Sequence, residues 1–168
     1  MSKHYKFTGE TKVVYGVTLH QIQATVNIPC HGVLSGEIGG YVENDRNLSG
    51  DAWVSGNARV YGNAQVYGDA QVFGDAWVYG DAQVSGDAQV SGNGLIFWAS
   101  KVGRENGTLT VYNTKDNELE VTRGCFKGSV DEFLSASEEK HDEQTHLEYR
   151  LLIEVAHSRI TRARKDDK

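Results

Sequence analysis

From Gly50 to Phe97 the chain repeats every six residues without a slip: GDAWVS, GNARVY, GNAQVY, GDAQVF, GDAWVY, GDAQVS, GDAQVS, GNGLIF. Glycine opens each hexad and Asp or Asn follows. Alanine stands third, except at Gly94, and a β-branched residue stands fifth, from Val54 to Ile96. This period does not match the helical one of about 3.6 residues. It holds a two-residue alternation instead, with Ala58 and Val60 on one side of a strand and Arg59 and Tyr61 on the other. The Gly-Asp or Gly-Asn pair supplies a corner, because these residue types tolerate turn conformations. A short strand and a corner, repeated, coil into a solenoid whose neighbouring turns pair as parallel strands about 4.8 Å apart. Alanines and valines fill its interior, each valine contributing roughly 1.5–3 kcal/mol against the cost of ordering the chain. Leu48 and Val42 keep the same phase backward.

The spacing V-x-G-[DN]-A-x over about residues 40 to 97 resembles the hexapeptide-repeat proteins. The segments FTGETKVVYGVTLHQIQA, GEIGGYVENDRNLSGDAWV and TLTVYNTKDNELEVTRGCF, with the tail that follows, are similar to hexapeptide-repeat proteins of bacteriophages and prophages. The resemblance implies a left-handed parallel β-helix in which three hexads make one triangular coil, about three to four coils in all. It also implies a homotrimer. The expected fold is therefore mainly β: an N-terminal β cap (1–39), the β-helix (40–97) and a small α+β domain (98–168).

With three hexads per coil, residues eighteen apart stack. One face then presents Tyr41, Arg59 and Tyr61, Trp77 and Tyr79, and Leu95 and Phe97. A second presents Trp53, Ser55, Gln71, Phe73, Gln89 and Ser91; the third presents Gln65, Tyr67, Gln83 and Ser85. The first is the most aromatic, and such a patch is rarely left in water. Arg59, Tyr61, Trp77, Tyr79, Leu95 and Phe97 are therefore the expected interface, with Arg59 able to stack on an aromatic neighbour. The plainer alternative is that surface tyrosines simply suit strands. Corner residues stack as well, Asp51, Asp69 and Asp87 in one column and Asn57, Asp75 and Asn93 in another. Turn formation accounts for them without a metal.

The flanks complete the plan. Residues 5 to 28 read as short strands with turns at Gly9 and Gly16, covering the first coil's open edge. A hairpin is expected from Thr108 to Thr122, and helix starts with capping-box spacing at Ser129–Glu132 and Thr145–Glu148. The second helix places Leu147, Leu151, Leu152, Val155 and Ile160 on one stripe, read as core. Its tail carries Arg159, Arg162 and Arg164. These are either a solvated helix end or, brought together in a trimer, contacts for an anionic ligand.

A net charge of −6 argues against generic DNA binding through bulk charge. No apolar run reaches membrane-spanning length, and the start of the chain lacks a secretory apolar stretch. Cys30 and Cys125 lack metal or disulfide spacing, so a reduced cytoplasm is expected, that of the host if the gene is a phage's. Cys125 is expected to be buried. A hexapeptide acyltransferase needs a histidine on the solenoid, and residues 50–97 have none. His20 and His31 are the only pair near the first coils. The expectation is a non-catalytic binding protein without cofactor or metal, acting on a host protein or a small anionic ligand such as a nucleotide. An acyltransferase-like enzyme and a virion assembly protein are the alternatives.

Overall fold

The computed structural model describes residues 3–92 and 94–166. The corner residue Asn93 and the first two residues of the chain lie outside them. The chain forms two compact units, Met1–Asn93 and Gly94–Lys168. Among the described residues, no helix is long and apolar enough to cross a membrane.

In the first unit, β1 (Tyr5–Val14) and β2 (Val17–Ala24) form an antiparallel hairpin, followed by β3 (Ile38–Val42) and seven two-residue strands, one per hexad, from β4 (Trp53–Val54) to β10 (Gln89–Val90). The pairings are parallel at a spacing of eighteen: Tyr41 with Arg59 and Arg59 with Trp77, Trp53 with Gln71 and Gln71 with Gln89, Gln65 with Gln83. Leu48 bridges Val66 in the same phase. The inward alanines and valines from Ala52 to Val90 are almost wholly buried. This is the β-solenoid that the six-residue period requires.

At the corners from Gly50 to Gly86 the glycine alone is left-handed, with φ +69° at Gly68. The Asp and Asn beside these glycines are not among the described residues of positive φ. A Cβ on Gly68 would lie 3.0 Å from the Gly86 nitrogen, so glycine serves both the turn and the close stacking of coils. In the column beside Gly62 the side chains bond to each other, Asn63 Nδ2 donating to Asp81 Oδ1 at 3.0 Å.

The N-terminal strands close one edge of the solenoid, β2 pairing antiparallel with β3 through His20–Val42 and Gln21–Tyr41. Gly9 is not a turn as expected. It lies in a register shift within β1, and the turn falls only at Tyr15–Gly16. Trp53, expected to point outward into solvent, is 1% exposed. Gly39 passes so close that a Cβ there would sit 2.8 Å from Trp53 Cζ2.

The second unit is a four-stranded antiparallel sheet of β11 (Ile96–Val102), β12 (Gly107–Asn113), β13 (Leu119–Arg123) and β14 (Phe126–Ser129), with helices α1 (Val130–Lys140) and α2 (Glu143–Asp166). The expected hairpin is its middle pair. The eighth hexad is not a further solenoid strand. Ile96 pairs with Tyr112 and Phe97 with Val111, because the apolar run Ile96–Val102 meets a full-length partner in β12. Leu109, Val111, Val121, Phe133, Tyr149, Ile153 and Ile160 are among the core residues.

The capping box at Ser129–Glu132 forms. The second helix begins earlier than expected. Asp142, not Thr145, caps it, its carboxylate accepting from the Thr145 N–H at 2.8 Å. The buried stripe is Tyr149, Ile153, Ala156 and Ile160, while Leu151 and Val155 are exposed. The stripe that Leu147, Leu151 and Val155 suggested is corrected, because Tyr149 packs edge-on against Phe133 and so turns its own face of the helix inward.

Candidate functional site: an aromatic and cationic ladder

The parallel register puts Tyr41, Arg59 and Trp77 in one vertical row on the solenoid, and Tyr61 and Tyr79 in the next. The Arg59 guanidinium lies over the Trp77 ring, 4.5 Å from its centroid. Its Nε is enclosed without a hydrogen-bond partner among the described residues, so the ring quadrupole is a main source of its stabilisation. Tyr61 and Tyr79 stack nearly parallel, 5.2 Å apart with 11° between planes. The Tyr61 hydroxyl is pushed above its ordinary value, first by burial and then by the neighbouring Tyr79 and Tyr15 hydroxyls, against a smaller opposing effect of Arg59.

The β1–β2 hairpin leans onto this face. Its loop is two residues, Tyr15 and Gly16, both with positive φ (49° and 81°), joining Val14 and Val17, which pair. That geometry matches the right-handed twist of the strands. It delivers the Tyr15 ring edge-on to Trp77 at 5.8 Å and the Lys12 ammonium over Tyr41 at 4.7 Å. Tyr15 nonetheless remains 84% exposed, and Tyr79 42%.

Of the residues expected on this face, Arg59, Tyr61, Trp77 and Tyr79 come together. Leu95 and Phe97 do not continue the column by strand pairing. They belong to the second unit, where Leu95 is buried in the core and Phe97 packs against it. Lys12 and Tyr15 were not anticipated. The Tyr-Gly pair between Val14 and Val17 signals a tight hairpin, but nothing local signals which way that hairpin leans.

The tail arginines separate. Arg159 and Arg162 are exposed, whereas Arg164 turns to the sheet and donates from Nε to Asn113 Oδ1 at 2.7 Å. Arg164 is thus corrected from ligand contact to structural tie, because buried Asn113 needs a donor for its carbonyl. Cys125 is exposed, not buried, since it occupies the Gly124–Cys125 turn between β13 and β14.

The histidines near the first coils carry structural contacts. His4 Nε2 bonds the Ala52 carbonyl oxygen at 2.8 Å, and His20 stacks on Phe7 at 4.9 Å. Burial lowers the pKa of His31, outweighing nearby Asp69 and Asp51. The exposed Cys30, Asp51 and Asp69 gather within 4.8 Å. There the Cys30 thiol is raised, first by burial and then by the two carboxylates, so the proton stays on sulfur.

Residues 52–68, 64–80 and 70–86 match the YdcK Beta solenoid repeat family. The matches begin at multiples of six from one another, in step with the corners, and include Arg59, Tyr61, Trp77 and Tyr79. No curated protein matches the chain.

Proposed function

We propose that this protein is a non-catalytic binding protein of phage type: a left-handed β-helix of the hexapeptide-repeat kind that acts in the host cytoplasm as a homotrimer and occludes a host protein, such as a defence factor. The observation that carries this reading is the ladder itself. A rigid parallel sheet holds Arg59 and four aromatic rings in fixed rows, the β1–β2 hairpin adds Lys12 and Tyr15, and Tyr15 and Tyr79 are presented to solvent. Side chains of this kind, pre-ordered by a scaffold, are the anchors on which protein interfaces depend. The threefold assembly rests on the resemblance of the hexads to hexapeptide-repeat proteins.

Between a protein and a nucleotide as partner at this face, the geometry favours the protein. Arg59 already covers Trp77, and Tyr61 already covers Tyr79. A nucleobase would have to compete with these contacts at Trp77 and Tyr79, leaving the 84% exposed Tyr15 as its open ring, whereas a protein surface can meet all the exposed edges as they stand.

Native mass spectrometry of protein taken directly from cells tests this. The expected result is a trimer carrying a stoichiometric protein partner, and loss of that partner in the double variant Tyr15→Asn/Tyr79→Glu with an unchanged circular dichroism spectrum. A monomer with nothing bound, or a variant that retains the partner, overturns the reading.

A further inference from the structure

The C-terminal unit contains a cleft of about 490 Å³ beneath the β13–β14 turn and α1, within the range of small-molecule sites. Two kinds of group line it. Phe126, half-buried, is the aromatic ring on its apolar side, backed by Phe133 and Tyr149, which are 4% and 1% exposed, with Phe133 edge-on to both neighbours at 5.2 Å. Arg104, Arg123 and Lys140 bring three cations to the cleft, against the carboxylates of Glu105 on its lining and of Asp142, 3.8 Å from Arg104. This local excess of positive charge stands in a chain whose net charge is −6.

The two walls are held rigidly. Arg123 donates from Nε to the Tyr149 hydroxyl at 3.1 Å and from Nη2 to the Val102 carbonyl at 3.4 Å. Gly107 leaves room for that guanidinium, since a Cβ there would lie 2.3 Å from Arg123 Nη1. Arg104 is mostly in solvent and reaches Asp142 only at 3.8 Å, so it can turn to an incoming anion. Lys140, at the end of α1, is exposed.

We propose that this cleft is a binding site for a small aromatic anion, its flat body against Phe126 and its phosphate or carboxylate met by Arg104 and Lys140. Apolar walls with a few convergent charged groups suit a ligand that is flat at one end and anionic at the other. The site lies wholly in the C-terminal unit and is independent of the ladder's partner.

The test uses the full chain with adenosine monophosphate and naphthoate as probes, which separate phosphate from carboxylate recognition, and adenosine and inorganic phosphate as fragments. Titration calorimetry is expected to show saturable binding of at least one probe, with each fragment weaker by roughly tenfold or more. Arg104→Gln/Lys140→Gln should weaken the probe by about tenfold or more. Ala136→Phe, which fills the cleft, should abolish binding. Cys125 lies on the cleft wall and Cys30 in the other unit, and both thiols are exposed. Bound probe should therefore slow alkylation of Cys125 and leave Cys30 unchanged. No saturable binding of either probe, equal affinity in the double variant, or a Cys125 rate indifferent to bound probe would each refute the site.

Discussion

Two glycines of nearly equal φ, Gly32 after the single turn Pro29–His31 and Gly68 at a solenoid corner, separate the backbone cost of the left-handed conformation from the cost of stacking. Gly32 and Gly68 have φ of +66° and +69°. A Cβ at Gly32 would touch nothing within 4 Å, whereas one at Gly68 would lie 3.0 Å from the Gly86 nitrogen and 3.5 Å from its Cα. In both, alanine costs about 1–2 kcal/mol for the left-handed conformation, partly offset by roughly 0.4–1 kcal/mol from a less flexible unfolded chain. Gly32→Ala should therefore cost about 0.5–1.5 kcal/mol. At Gly68 the next coil must also move, straining the Gln71 N–H bond to the Ala88 carbonyl, now 2.8 Å. Overpacking of this sort adds about 1–3 kcal/mol, so Gly68→Ala should cost roughly 2–4 kcal/mol. Asparagine tolerates the left-handed region but keeps the Cβ. Gly32→Asn should be close to neutral while Gly68→Asn stays destabilised. Urea unfolding followed by circular dichroism reads all four. Equal losses for Gly32→Ala and Gly68→Ala would show that coil stacking places no demand on the corner, and the argument would fail.

Arg59→Ala and Trp77→Ala, combined in a double-mutant cycle, should show a coupling of about 0.5–2 kcal/mol for the cation over the ring; additive losses would count against it. Arg164→Leu should cost about 1–3 kcal/mol in unfolding experiments, because it leaves the buried Asn113 carbonyl without its donor. Ser129→Ala should cost about 1 kcal/mol, because the Glu132 N–H loses its acceptor, and that loss should persist in a Glu132→Ala background, which keeps the N–H. His31 has a pKa below its ordinary 6.5 when folded, so the unfolded chain binds more protons. Stability from this group is complete above about 6.5 and is lost as pH falls below it; in His31→Phe that step of a pH-stability curve should disappear. Asp142 and Glu132 are depressed by bonds from Thr145 and Ser129. Their contribution persists above the ordinary carboxylate range and goes only as pH falls through it, so Asp142→Asn should flatten the acid limb read by α-helix dichroism.

The solenoid was legible because its signal is local and repeated. The glycine needed at each corner, the alanine and valine needed inside and the spacing of eighteen are all properties of one hexad copied along the chain. Hence Tyr41, Arg59 and Trp77 could be put in one row before any coordinates. Where the repeat is imperfect, the reading fails. Gly94 in place of alanine does not say that Ile96 will leave the solenoid for a partner in β12.

Contacts between segments distant in sequence were settled by packing alone. Leu151 and Val155 look as apolar as Ile153 and Ile160, and the choice of inward face was made by Tyr149 meeting Phe133. The Gly124–Cys125 turn joins two strands, and its thiol is exposed only because nothing packs over it. The lean of the Tyr15–Gly16 hairpin brings Tyr15 to Trp77, sixty-two residues on, a contact between segments that share no repeat. A six-residue copy determines its own neighbours in three dimensions, because the next copy is always in the same place. A residue used once has no such guide, and its partner is settled by the packing of the whole chain.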